Sequence, residues 1–116
     1  MAVETFHQEL RKLLDAYTHF IYSLTRKFPR EELFGVTSQL RRSSLSVALN
    51  YIEGFARRRN KVQVNFLEIS YGSLKESRYL LDFVEQEGYI TKIEYEKAII
   101  MADKLGAMIW GILRKL

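Results

Sequence analysis

Four long segments of this chain place apolar residues at alternating spacings of three and four, and this spacing restricts the possible folds more than any other feature. Pro29 and Gly35, the run 57–60, and Gly88 separate the segments. A three/four spacing puts apolar side chains on one face of an α-helix, and no run alternates with the period of a strand. The sequence therefore predicts one all-α domain over residues 1–116, an antiparallel up-and-down four-helix bundle.

Local signals predict where the helices begin and end. The first helix should stop before Pro29, because the residue that precedes a proline is disfavoured in the helical region. The second should begin between Leu33 and Ser38. Asn60 is the predicted N-cap of the third helix. Thr91 followed three residues later by Glu94 predicts a capping box at the start of the fourth.

The composition argues against several classes of function. Because the chain has no cysteine, disulfides and thiolate chemistry are excluded. His7 and His19 lie twelve residues apart, about 18 Å along a helix, too far for one metal ion. The six glycines are scattered and form no phosphate-binding loop. We therefore expect a protein that is not an enzyme, with no cofactor, no metal and no small-molecule substrate.

Location and membrane contact follow from the distribution of apolar residues. Charged residues interrupt every hydrophobic stretch before it reaches the roughly 18 residues that a membrane span needs. The first five residues lack the pattern of a secretory signal. The expectation is a cytoplasmic protein with no membrane contact.

Positive charge is concentrated in the second quarter of the chain. Residues 1–32 hold five Lys/Arg and five Asp/Glu, and residues 62–116 hold seven against eight. Residues 33–61 hold six basic residues against Glu53 alone. These six are the candidate nucleic-acid-binding residues: Arg41, Arg42, Arg57, Arg58, Arg59 and Lys61.

Two interpretations of this basic cluster remain open at this point. The cluster either binds a phosphate backbone, for which arginine offers paired donors, or is a solvated helix end and turn. No zinc-finger, RRM or basic-zipper signature accompanies it, so recognition of bases is not predicted.

Four polar residues form a candidate polar seam: Asn50, Glu53, Ser73 and Glu76. Counting along the helices puts Asn50, Ser73 and Glu76 on or near seams that are otherwise apolar. If helices 2 and 3 form a hairpin that turns near Arg59, residues whose numbers sum to about 119 lie level, which places Glu76 beside Ser43 and close to Arg41 and Arg42. The favoured interpretation is a structural polar seam with a buried Glu76 ion pair or hydrogen bond. An acid/base or ligand site and a simple exposed face are the alternatives.

Aromatic residues make up 13% of the chain, and helix 2 is apolar on several sides. One small bundle cannot easily cover so much apolar surface, so we expect self-association.

Two blocks of the sequence form a recognisable pattern. They comprise residues 34–44 with Ser46, Asn50, Glu53-Gly54 and Arg57, and then Phe66-Leu67, Ile69, Gly72-Ser73-Leu74 and Glu76, with Phe28-Pro29 ahead of both. This pattern resembles the four-helix bundle proteins encoded within intervening sequences of bacterial 23S rRNA genes. The family more often has alanine and isoleucine at Ser44 and Val47, and these exchanges bear on packing.

The resemblance implies more than the residues do by themselves. The family is similar to accessory proteins of diversity-generating retroelements, which form pentameric rings with a basic surface and work with nucleic acid. It implies a homopentamer here. The resulting hypothesis is a non-enzymatic, oligomeric, RNA-associated accessory protein that contacts RNA or DNA backbones. The alternative is a protein-interaction scaffold whose arginines contact other subunits or an acidic protein.

Overall fold

The computed structural model describes the backbone of residues 3–116 and the side chains of residues 5–116, and within them it contains four α-helices and no strand. The α-helices are α1 (Val3–Thr25), α2 (Val36–Ala56), α3 (Asn60–Gln86) and α4 (Lys92–Leu113), with a short 3₁₀ turn at Arg30–Glu32. The all-α prediction is confirmed. None of the helices in this described part has the length and apolar character needed to cross a membrane.

The local signals placed most helix ends correctly. Helix α2 begins at Val36, inside the predicted interval, and Gly88 has the positive φ of 78° that favours glycine after a helix. Thr91 and Glu94 form the predicted capping box. The prediction for Asn60 is wrong, because Asn60 lies inside α3 and Arg59 is the N-cap. The Arg59 carbonyl accepts the first helical hydrogen bond, from the Gln63 N–H at 2.9 Å.

Contacts between successive helices pair rising residue numbers with falling ones, as expected for antiparallel neighbours. Between α2 and α3, Ser46 contacts Ser73 and Gly54 contacts Leu67. Between α3 and α4 the pairs are Leu74–Gly106 and Asp82–Tyr95, and between α1 and α2 they are His7–Tyr51 and Thr25–Arg41. Between α1 and α4 the pairs are Phe20–Lys97 and, just after the end of α1, Lys27–Glu94. Each helix therefore packs against two neighbours around one core.

Tyr17 crosses this core from α1 to α3, the helix diagonally opposite. Its side chain is fully buried, and its hydroxyl lies 2.7 Å from Ser77 Oγ. Ser77 donates its own hydrogen to the Leu74 carbonyl at 2.9 Å, so Tyr17 is the donor between the two hydroxyls. Burial raises the pKa of Tyr17 to about 12 and so keeps the phenol in its neutral form.

This pKa predicts a specific alkaline sensitivity. An unfolded tyrosine ionises near pH 10, so between about pH 10 and 12 the unfolded state loses the proton while folded Tyr17 keeps it. The free energy of unfolding should therefore fall as pH rises through this window. Between about pH 9 and 11 the Tyr17→Phe variant should lose about 1 kcal/mol less than the parent. Urea unfolding at the two pH values tests this, and equal losses would contradict it.

Candidate nucleic-acid interface

The turn between α2 and α3 displays consecutive basic side chains. Arg57 and Arg59 have extended backbone conformations between the two helices, and Lys61 lies in the first turn of α3. All the side chains from Arg57 to Lys61 are exposed. Because these arginines are exposed and successive, the turn can contact several anionic groups.

Arg57 differs from the other basic residues of the turn because it has partners within the chain. Its guanidinium pairs with Glu53, one helical turn earlier, and lies 5.2 Å from the centre of the Phe66 ring. Among the described side chains, none of Arg58, Arg59 and Lys61 has a carboxylate oxygen within 4.0 Å. Their charges are therefore not neutralised by ion pairs within the described part of the chain.

The start of α1 and the end of α4 meet at this same end of the bundle. The His7 ring bonds to the Tyr51 hydroxyl near the end of α2, and its centre is 4.0 Å from that of Phe55. His7 also lines an open cavity of about 700 Å³ with Arg114 and Lys115 of the α4 end. These two basic residues were not predicted, because they lie far along the chain from the basic cluster at residues 33–61.

Grouping charges by position in the bundle gives a clear asymmetry. We define the turn half as residues 3–14, 47–73 and 104–116, and the distal half as residues 15–46 and 74–103. The turn half holds nine Lys/Arg against four Asp/Glu, a net charge of +5, and the distal half holds nine against ten, a net of −1. The positive excess of the protein therefore lies at one end.

Arg41 and Arg42 do not extend this surface, although the sequence predicted one basic region from Arg41 to Lys61. They lie near the start of α2, and the 14 residues from Arg42 to Ala56 correspond to about 21 Å of helix. Arg41 is also engaged within the chain, since its Nε donates to Thr25 Oγ1 at 2.8 Å and its guanidinium lies 4.7 Å from the centre of the Tyr22 ring. The predicted cluster is two separate surfaces.

Two of the four polar seam residues belong to one hydrogen-bond chain between α2 and α3. Ser46 Oγ and Ser73 Oγ are 2.7 Å apart, as expected for a hairpin in which level residues have numbers that sum to about 119. Asn50 Nδ2 donates to the Ser46 carbonyl at 2.9 Å and to Ser46 Oγ at 3.0 Å. Half-buried Asn50 and Ser73 therefore link to each other through Ser46.

The other two seam residues, Glu53 and Glu76, are exposed. Glu76 lies level with Ser43, as expected, and both line a groove of about 430 Å³ with Arg42. No cation among residues 5–116 lies within 4.0 Å of the Glu76 carboxylate. The predicted buried ion pair of Glu76 with Arg41 or Arg42 is wrong, because the carboxylate stays in solvent and Arg41 turns towards α1.

The exposure of Glu76 predicts a small effect of its removal. Glu76→Ala should change the free energy of unfolding by less than about 0.5 kcal/mol, because no buried charge is left without a partner. Leu74→Ala, two residues away on the buried face, should cost at least about 2 kcal/mol and is the control. Urea denaturation measures both, and a large loss for Glu76→Ala would require a partner for this carboxylate.

The buried hydroxyls and the histidine serve packing in this arrangement. Ser70 Oγ donates to the Val47 carbonyl at 2.7 Å and joins α3 to α2. Burial lowers the pKa of the His7 imidazole, which favours its neutral form beside Tyr51. Within residues 5–116, no three acidic or histidine side chains are close enough together to hold a metal ion.

Comparisons with known proteins identify the family. A comparison with curated proteins found no match. Among solved structures, the chain is similar to a protein of unknown function from the S23 ribosomal protein family of Bacteroides thetaiotaomicron, with a TM-score of 0.83 and 21% identity over 90% of this chain and 97% of the other. The model of the 23S rRNA-intervening sequence proteins matches residues 8–111. The chain belongs to the 23S rRNA-intervening sequence protein family.

Proposed function

We propose that this protein is a non-enzymatic, oligomeric nucleic-acid-binding accessory protein, associated with RNA, that contacts phosphate backbones through its turn half. The observation that carries the proposal is the net charge of +5 on the turn half, with Arg58, Arg59 and Lys61 free of carboxylate partners in the described structure. The family name, which refers to ribosomal RNA, supports RNA as the nucleic acid.

The proposed mechanism is electrostatic and independent of base sequence. Each guanidinium can donate two parallel hydrogen bonds to one phosphate, and each contact releases counterions from the backbone. Arg58, Arg59 and Lys61 make the first contacts, while Arg114 and Lys115 widen the surface. Arg57 contributes less because Glu53 shares its charge. The more distant Arg41 and Arg42 fall outside this contact in a single subunit.

Assembly is the second part of the proposal. Leu45, Leu49 and Ile52 follow each other at three/four spacing on α2, and their exposed fractions are 37%, 59% and 38%. Neither α1 nor α3 covers this stripe, so we assign it to contacts with further copies of the chain, in a ring of five. A ring places several turn halves on one RNA, and weak phosphate contacts then act together.

The stripe makes assembly sensitive to one charge. Leu49→Glu should leave the helices folded and reduce the mass in solution from an oligomer towards the 13.7 kDa of one chain, because a carboxylate cannot be buried there without a partner. Ile100→Glu is the control, since Ile100 is 69% exposed on α4, away from the stripe. Light scattering measures both masses. An unchanged oligomer with Leu49→Glu would place the subunit contacts elsewhere.

Lysine footprinting tests the proposed function directly. Lys61 and Lys115 lie in the turn half, whereas Lys92 and Lys97 lie in the distal half, and all four are exposed. Bound RNA should protect Lys61 and Lys115 from an acylating reagent and leave Lys92 and Lys97 reactive. Equal reactivity with and without RNA would reject the RNA contact and favour the scaffold alternative, in which the arginines meet an acidic protein.

A further inference from the structure

A second concentration of arginines lies in the distal half, around a pocket between the end of α1, the 3₁₀ turn and the first turn of α2. The pocket has a volume of about 370 Å³. Arg26, Arg30 and Arg41 line it together with Thr37, and Phe28 forms part of an apolar wall. We call this cavity the arginine pocket. Its volume is at the lower end of the range for small-molecule sites.

The charges of the arginine pocket are not neutralised within the described structure. No acidic side chain lines the cavity, and none of its three arginines has a carboxylate within 4.0 Å. Glu32, in the 3₁₀ turn beside the pocket, accepts hydrogen bonds from the Val36 N–H at 3.3 Å and the Tyr89 hydroxyl at 3.1 Å. Its carboxylate is thus engaged outside the pocket lining.

Arg41 is held in place by two contacts. Its Nε donates to Thr25 Oγ1 at 2.8 Å, and Thr25, which is 97% buried, donates in turn to the Ile21 carbonyl at 2.9 Å. The Tyr22 ring lies beneath the guanidinium, 4.7 Å from Cζ. These contacts occupy Nε and one face of the group and leave its two terminal nitrogens available. A guanidinium fixed in this way loses little conformational entropy when it binds an anion.

Thr37 provides an independent indication of a ligand. Its side chain is 97% buried, it lines the arginine pocket, and its Oγ1 has no hydrogen-bond partner in the described structure. A buried hydroxyl without a partner is uncommon in folded proteins. Thr37 also lies in the first turn of α2, where the Val36 N–H is already bonded to Glu32, and the positive end of the helix dipole attracts anions.

We propose that the arginine pocket binds a phosphate group, as inorganic phosphate or as a phosphomonoester. Arg26, Arg30 and Arg41 supply the positive charge and paired donors, and Thr37 supplies a hydroxyl donor. The site goes beyond the proposed backbone contact, because it lies in the other half of the bundle and recognises a single phosphate group.

Calorimetric titration with inorganic phosphate at constant ionic strength, with chloride as the reference anion, tests the site. The double variant Arg26→Gln/Arg30→Gln should weaken phosphate binding at least about 10-fold, and Thr37→Val should weaken it several-fold. Lys92→Gln/Lys97→Gln removes the same charge from the same half and should leave it unchanged. Phosphate binding no tighter than that of chloride, or equal in Arg26→Gln/Arg30→Gln and the parent, would overturn the proposal.

Two sources of the phosphate group can be distinguished with short RNA oligonucleotides that carry a 5′-phosphate or a 5′-hydroxyl. Tighter binding of the 5′-phosphorylated RNA, lost in Arg26→Gln/Arg30→Gln, assigns the pocket to an RNA end. Phosphate binding without that preference assigns it to a small phosphorylated molecule. Phosphate binding that depends on Arg26 and Arg30 reports on the pocket, whereas protection of Lys61 and Lys115 by RNA reports on the turn half. Failure of the pocket and failure of the proposed RNA contact therefore give different results.

Discussion

Replacing Arg58, Arg59 and Lys61 together with glutamine is expected to weaken RNA binding roughly 100-fold at about 0.1 M salt, since each lost phosphate contact costs about 1 kcal/mol. These three side chains are exposed and have no carboxylate partner in the described structure, so their removal leaves the packing intact. Helicity and oligomer mass should match those of the parent. Fluorescence anisotropy with a labelled single-stranded RNA measures the affinity.

A second triple variant separates local contact from total charge. Lys75, Lys92 and Lys97 are exposed in the distal half, and their replacement with glutamine also removes three charges. This variant should bind RNA nearly as well as the parent. If both triple variants lose affinity equally, the turn half is not the binding surface. If the turn variant dissociates into monomers, its basic residues serve assembly, as the scaffold alternative requires.

The Gly54→Leu substitution is expected to destabilise the fold by about 3 kcal/mol or more and to lower the melting temperature by about 10 °C. Here α2 approaches α3 so closely that a Cβ atom would lie 3.1 Å from both Cγ and Cδ2 of Leu67 and 3.3 Å from Cβ of Phe66. A leucine would therefore separate the two helices, and the hydrogen bond between Ser46 and Ser73 would be strained with them.

Gly111 in α4 is the control for this prediction, because a Cβ atom at this position would have no neighbour within 4 Å beyond the adjacent residues and backbone of its own helix. Gly111→Ala should stabilise the protein by up to about 1 kcal/mol through its higher helix propensity. Thermal unfolding measures the melting temperatures of both variants, which should shift in opposite directions. If Gly54→Leu melts within a degree of the parent, the helices do not meet as closely as described.

The helix pattern was predictable because its causes are local. Pro29, Gly88 and the pair Thr91 and Glu94 act through backbone geometry and hydrogen bonds within a few residues. The position of the turn between α2 and α3 was enough to predict that Ser46 lies beside Ser73. Asn60 failed as an N-cap because a preference for asparagine cannot tell which residue of a short connection takes the extended conformation.

The candidate site was less predictable because it depends on contacts between distant segments. Arg41 turns towards Thr25 and Tyr22 of α1, and nothing in the sequence around Arg41 indicates that choice. Glu76 interrupts an apolar seam yet points to solvent, since a long side chain at the edge of a helix interface can reach water. The charge of the turn half requires Arg114, which joins it only when the bundle is assembled.

The salt dependence of RNA binding by the unmodified protein tests the central claim most directly. Anisotropy titrations between about 50 and 200 mM salt should give a straight line of log affinity against log salt concentration, with a slope of about −0.7 for each phosphate contacted on single-stranded RNA. The proposed contact uses five of the exposed basic residues of the turn half, Arg58, Arg59, Lys61, Arg114 and Lys115, so we expect a slope near −3.5 for each subunit engaged. Retained binding with a slope near zero would contradict the phosphate-backbone contact.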